Sequence, residues 1–355
     1  MRALPIMVAL VVMVGPVTPT TADAADTPPN NVVYVANSQS DTVSVIDATT
    51  NEVTASIPVG DNPVGVAVAP DNAHVYVANS QSDTVSVIDA TTREVTATIP
   101  VSGSPIGIDV SYGGTRVYVT DVRKDTVSVI NTLTNRVIAT VPVGKNPFRI
   151  TAIPYRRVYV ANQGSDTVSV ISTLTNRVIA TVLVGKNPFG IRFAPNGLYV
   201  YVANQGSDTV SVISTRTNKV VATIPVSSAP SRIVVSADSA LVYVTTLIPE
   251  GVAVIDARTN EVIDTISVEG AHFGITISPD GTWLYVTDLE ADSVSVISTR
   301  TRKVVGVIPV GKSPFGIRAA NRVPRPRSSY RLAPTGQTTS PGELGGKLPG
   351  VQDGE

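Results

Sequence analysis

The chain of 355 residues carries 27 basic and 28 acidic side chains, a formal net charge of −1, and no cysteine. The even balance argues against a dedicated nucleic-acid binder, which shows a basic excess. The missing cysteine excludes a disulfide framework and a lipoprotein cysteine, so the fold is stabilised by packing alone.

Residues 1–24 read as a secretory signal. Arg2 supplies the positive start and residues 7–14 an apolar run too short to span a bilayer comfortably. Ala22-Asp23-Ala24 has the small-x-small cleavage pattern, so the cut is expected after Ala24. An uncleaved anchor is the rival. The protein is thus expected outside the cytoplasm, as a secreted, periplasmic or cell-surface protein, with no transmembrane segment after cleavage. Residues 25–31 read as a short linker.

The unit of the chain is seen in residues 201–226, YVANQGSDTVSVISTRTNKVVATIPV. Strand YVAN leads through the polar turn QGS to DTVSVI, and STRTN leads on to KVVATIPV. The first-strand tyrosine recurs at Tyr34, Tyr76, Tyr118, Tyr159, Tyr201, Tyr243 and Tyr285, at intervals of 41 or 42 residues. A period near forty with several short strands per repeat marks a β-propeller. A fourth strand is read at 64–69, 106–111, 148–153, 189–194, 231–236, 273–278 and 315–320. The expected fold is all-β: a seven-bladed propeller of four-stranded antiparallel blades over residues 32–320.

Strand order predicts how the ring closes. With the innermost strand named A, the first repeat starts at strand B (residues 32–37), and the last repeat supplies a surplus A strand at 315–320. Pairing the two removes two open edges. Residues 321–355 are rich in Pro, Gly, Ser and Thr and read as a disordered tail. Leu332-Ala333-Pro334-Thr335-Gly336 is similar to a sortase signal, but a polar segment follows it where a hydrophobic one is required.

The strings YVAN, DTVSVID, TIPVG and NPxGI, recurring in phase, resemble the YVTN-family β-propeller repeat. The resemblance implies an exported, surface-layer-like propeller. The wider architecture also hosts lactonases, lyases and quinoprotein subunits. The repeat motif is structural and carries no catalytic residues onto this chain.

Function is sought where the repeats differ. The D–A loops and B–C turns share one end, the top; the A–B and C–D turns share the bottom. Asp41, Asp83, Asp125, Asp166, Asp208 and Asp292 start C strands and are expected to accept turn amide hydrogen bonds. The seven tyrosines are expected to pack between blades. His74 and His272 fall at opposite ends, so neither a His-based metal site nor any cofactor is expected. His272 replaces a proline that the other six repeats carry, near Glu269, and the pair is a candidate for general acid/base chemistry. Arg149 and Arg232 replace glycine on A strands. Asp109, Arg192 and Arg318 follow the central Ile, and Lys145, Lys186 and Lys312 sit in the preceding loops. Together these predict a basic rim at the top, facing a carboxylate- or phosphate-bearing glycan or metabolite. The leading expectation is a monomeric exported binding or scaffold protein, its partner a protein, a glycan or a small anion. The rivals are a lactonase-like hydrolase or lyase built on His272, Glu269 and the channel arginines, and a structural surface-layer subunit.

Overall fold

Alternation of Val with Ser or Thr gives each repeat strands of period two, and they fold as such. In the fifth blade the strands are Pro188–Phe193 (A), Tyr199–Asn204 (B), Thr209–Ser214 (C) and Lys219–Pro225 (D), paired in that order as an antiparallel sheet. The computed structural model describes residues 31–248, 250–270 and 272–321. They form seven such sheets, the blades of a propeller, and the lone helical element among them is a 3₁₀ turn at Gln163–Ser165. The expected signal, most of the linker and nearly all of the tail lie outside the described residues. Asn31, read as linker, already belongs to the first B strand, Asn31–Asn37.

The ring closes as the strand count requires. The last strand, Pro314–Asn321, pairs antiparallel with Asn31–Asn37, setting Tyr34 opposite Arg318 and Val35 opposite Ile317. It is the A strand of the first blade.

The core lies between blades rather than within them. Val168 and Val170 of blade four pack against Val200, Val202 and Ile213 of blade five, and Val33, Val35 and Ile46 of blade one pack against Tyr285, Val294 and Val296 of blade seven. B and C strands are therefore covered on both faces, whereas D strands lie at the rim, mostly exposed or half-buried apart from one buried residue near the end. All seven repeat tyrosines are buried. Two of them tie neighbours together: Tyr159 donates to Asn218 Oδ1 at 2.8 Å and Tyr285 to Asn51 Oδ1 at 3.4 Å.

The repeated aspartates are structural, with a longer reach than the turn-capping role predicted for them. Each sits in the left-handed region, at φ 51–55°. There the carboxylate accepts the N–H of a residue 21 positions on, in the D–A loop: Asp41 from Asn62, Asp83 from Ser104, Asp125 from Asn146, Asp166 from Asn187, Asp208 from Ala229 and Asp292 from Ser313, all at 2.7–2.8 Å. Blade six lacks the aspartate, and Glu250 does the same work on the Gly270 N–H at 2.9 Å. Every top loop is thus pinned to a B–C turn.

Candidate functional site: the two ends of the channel

The A strands surround a central channel, lined by consecutive residues of each strand such as Gly190, Ile191 and Arg192. The fourth position of every A strand contributes Val66, Ile108, Ile150, Ile191, Ile233, Ile275 and Ile317 to one aliphatic ring at the waist. The third position is glycine in five blades because neighbouring A strands nearly touch there. A Cβ on Gly190 would stand 2.3 Å from the Ser231 carbonyl oxygen, and one on Gly316 2.3 Å from that of Val64. Arg149 and Arg232 occupy this position in blades four and six.

Above the waist, phenylalanines from the second position fill the top of the channel. Phe148 and Phe189 have ring centroids 4.2 Å apart, Phe189 and Phe273 5.3 Å, and Phe273 and Phe315 4.2 Å. The contact between blades five and seven passes over Ser231 of blade six, which is too small to intervene. The two third-position arginines lie among these rings. The Arg149 guanidinium carbon is 5.9 Å from the Phe148 centroid and 5.8 Å from that of Phe315; Arg232 lies 5.1–5.5 Å from Phe189, Phe273 and Phe315. Burial draws the Arg149 guanidinium down to about 9, so it remains a cation at neutral pH.

Below the waist the channel widens into a mouth of about 370 Å³, walled by residues of all seven blades, including the A–B turn residues Pro70, Tyr112, Pro195 and Pro279. Asp109, Arg192 and Arg318, the fifth-position residues, form its inner end. Asp109 Oδ2 accepts the Ala152 N–H at 2.9 Å, and Oδ1 accepts the Val110 N–H at 3.0 Å and lies 4.0 Å from Arg318 Nη2. Arg192 stacks on Phe193, 5.6 Å from its centroid. Burial brings Arg192 down to about 9; the like charge of Arg318 acts in the same direction and Asp109 opposes it. Two guanidinium groups thus share one carboxylate that already accepts two amide hydrogen bonds. The excess charge of this mouth is positive.

The structure divides the predicted basic rim. Arg149 and Arg232 line the waist cavity alone, whereas Arg192, Arg318 and Asp109 line both that cavity and the bottom mouth, because the fifth residue of an A strand lies past the waist. Lys145, Lys186 and Lys312 are exposed on the top loops and line neither space. Hence no single top site gathers all the predicted cations. The acid/base pair is also corrected. His272 is fully buried as the first residue of its A strand, opposite Asp288 in register, and neither ring nitrogen has a partner among the described residues. It lines neither end of the channel, and Glu269 is exposed, with no ion pair to it among the described residues. The phenylalanine chain was not foreseen, although its signal stands in the sequence as Pro-Phe at three A-strand starts, 147–148, 188–189 and 314–315, and as His-Phe at a fourth, 272–273.

A family model described as the cytochrome D1 heme domain, a family of seven-bladed propellers, matches residues 27–323. No curated protein matches the chain. Among solved structures, it is similar to a functionally unknown protein from Desulfotomaculum acetoxidans DSM 771 (TM-score 0.76, 19% identity, covering 82% of this chain and 100% of that one). It is also similar to the dihydro-heme d1 dehydrogenase NirN in complex with DHE (TM-score 0.61, 16% identity, 84% and 77%) and to Kuenenia stuttgartiensis hydrazine synthase (TM-score 0.51, 20% identity, 86% and 96%). At these identities the likeness is one of fold.

Proposed function

The chain belongs to the cytochrome D1 heme domain family, and from that premise we propose that it is an exported binding and scaffold propeller that takes a carboxylate- or phosphate-bearing ligand at the bottom mouth of its channel. The family makes a haem the first group to test against the residues. A haem needs an axial ligand and a space open to that ligand. Among the described residues no histidine, cysteine or methionine lines either end of the channel, and the one tyrosine that does, Tyr112, is 67% exposed on an A–B turn rather than aimed into an enclosed seat. The top, where phenyl rings meet at 4.2–5.3 Å, leaves a cavity of about 90 Å³, far below the roughly 300 Å³ at which ordinary ligand sites begin. The described residues do not fit a haem.

The observation that supports the anionic ligand is the pair Arg192 and Arg318 facing one already engaged carboxylate. Guanidinium groups present planar N–H forks that match carboxylate and phosphate. A mouth of about 370 Å³ lies within the size range of small-molecule sites. Export rests on Arg2, the apolar run at 7–14 and Ala22-Asp23-Ala24; the YVTN-like strings favour a surface scaffold. No helix of the described residues is long and apolar enough to cross a membrane.

The test is affinity for a panel of small carboxylates, phosphates and anionic envelope glycans at two salt concentrations. Binding is expected to weaken clearly as salt rises, and Arg192→Ala with Arg318→Ala is expected to lose at least tenfold. Salt-insensitive binding, or unchanged affinity in the double variant, would remove the mouth from the account. Free haem titrated into the protein is expected to keep the absorption it has in buffer; a shifted Soret band would restore a haem seat.

A further inference from the structure

The arginines at the top of the channel pose a question separate from the mouth. Arg232 is only 9% exposed, and the Nε and Nη2 atoms of both Arg149 and Arg232 are buried without a hydrogen-bond partner. Neither residue forms an ion pair among the described residues. The one acid lining the waist cavity, Asp109, is committed to two amides and lies beside Arg318. Phenyl faces stabilise the two cations in part, but they satisfy no N–H in the plane of the guanidinium. Buried donors without partners call for an unseen water or ion, and two buried cations without a counter-charge favour an ion.

Both arginines line one cavity of about 90 Å³ at the waist, walled by the ring of aliphatic side chains and, on its lower side, by Asp109, Arg192 and Arg318. On the liquid scale, at roughly 30 Å³ per water, that is room for about three water-sized bodies. We propose that this cavity holds a small inorganic anion of the halide class, hydrogen-bonded by the guanidinium groups of Arg149 and Arg232. Such an ion supplies the missing acceptor for the orphaned donors and the missing charge for both cations.

The experiment is thermal unfolding at constant ionic strength in sodium chloride, sodium bromide and sodium gluconate, the last being too large for the cavity. The native protein is expected to melt a few degrees higher in either halide than in gluconate, because a ligand that binds only the folded state stabilises it. Arg149→Gly with Arg232→Gly installs the residue that the other blades carry, so it is expected to fold and to lose the halide effect. Arg192→Ala with Arg318→Ala is expected to keep it, which separates this site from the mouth. Because gluconate is a carboxylate of the class proposed for the mouth, the deciding comparison is made in the Arg192→Ala, Arg318→Ala protein, and equal melting there in halide and gluconate would overturn the proposal. So would a halide effect that survives the glycine pair or vanishes with the mouth pair. Should the glycine pair not fold, crystals of the native protein in bromide decide. An anomalous peak within hydrogen-bond distance of the Arg149 and Arg232 nitrogens supports the site, and its absence there sinks it.

Discussion

Arg318 Nη2 lies 4.0 Å from Asp109 Oδ1, although the two residues belong to blades one and three, which are not neighbours. They reach each other because the intervening blade presents Ala67 at the same position, a side chain too short to separate them. The pair sets the charge of the bottom mouth. Asp109→Asn keeps an oxygen for the Ala152 N–H while removing the acid that competes with a ligand for Arg318. The variant is expected to bind anionic ligands about fivefold tighter, the equivalent of about 1 kcal/mol for a partly exposed pair. Calorimetric titration against native protein reads this directly, and an unchanged or weaker affinity would mean that Asp109 does not contend with the ligand.

Closure of the ring offers a second test. Chain ending at residue 313 lacks the A strand of blade one. It exposes strand Asn31–Asn37 as an open edge and removes Phe315, Ile317 and Arg318 from the channel wall. Such a truncation is expected to abolish cooperative unfolding, whereas ending the chain at residue 321 is expected to change the melting temperature by no more than a degree or two. Circular dichroism melts of the two truncations decide it; equal melts would contradict the closing pair.

Asp121 predicts a pH dependence. At this place at the end of strand B, Asn37, Asn79, Asn162 and Asn204 each donate to a Thr and a Ser hydroxyl at 2.9–3.1 Å. Asp121 instead accepts from Thr126 and Ser128, at 3.1 and 2.7 Å. Burial outweighs these bonds and pushes its carboxyl up to about 6. The folded state therefore holds a proton that the unfolded state releases nearer pH 4. Stability is expected to fall as pH rises from about 4 to about 6 and to level off above, by at most about 2–3 kcal/mol. Asp121→Asn removes this loss: the variant is expected to exceed the native protein at pH 7 and to converge on it near pH 4. Urea unfolding across that range measures the difference.

The fold was legible because the repeat states its own geometry many times. Tyr34 through Tyr285 fix the phase, and the surplus A strand with the missing first one leaves only one way to close the ring. The candidate site was legible only in part. Substituted positions such as Arg149, Arg192 and Asp109 stand out against the repeat, yet their height along a strand of six to eight residues decides which end of the channel they face. One residue past Ile191 carries Arg192 through the waist to the bottom. His272 shows the same limit: its chemistry stands out in the text, but the proline position it occupies is buried between strands, and the sequence has no separate mark for that.

His272 yields the last prediction. Its imidazole is fully buried with both nitrogens unpartnered, in a place that Pro63, Pro105, Pro147, Pro188, Pro230 and Pro314 fill in the other blades. A buried polar group without a partner costs about 1–3 kcal/mol relative to a satisfied or apolar one. Proline at a compatible backbone position adds about 0.4–1 kcal/mol by restricting the unfolded chain. Five blades hold proline at the start of the same inner strand, paired with the last residue of strand B as His272 is with Asp288, and in blade six Pro230 stands third in Ser228–Val235, opposite Thr246. His272→Pro is therefore expected to raise stability by about 1–2 kcal/mol, with the urea midpoint shifting upward at constant slope. His272→Ala, which removes the ring and leaves a void, is expected to gain less or to lose stability. Anion affinity at the mouth should be the same in all three proteins. A proline variant that is destabilised, or one that loses a measured activity while remaining folded, would mean that the imidazole has a partner it meets only in function, and would return His272 to the site.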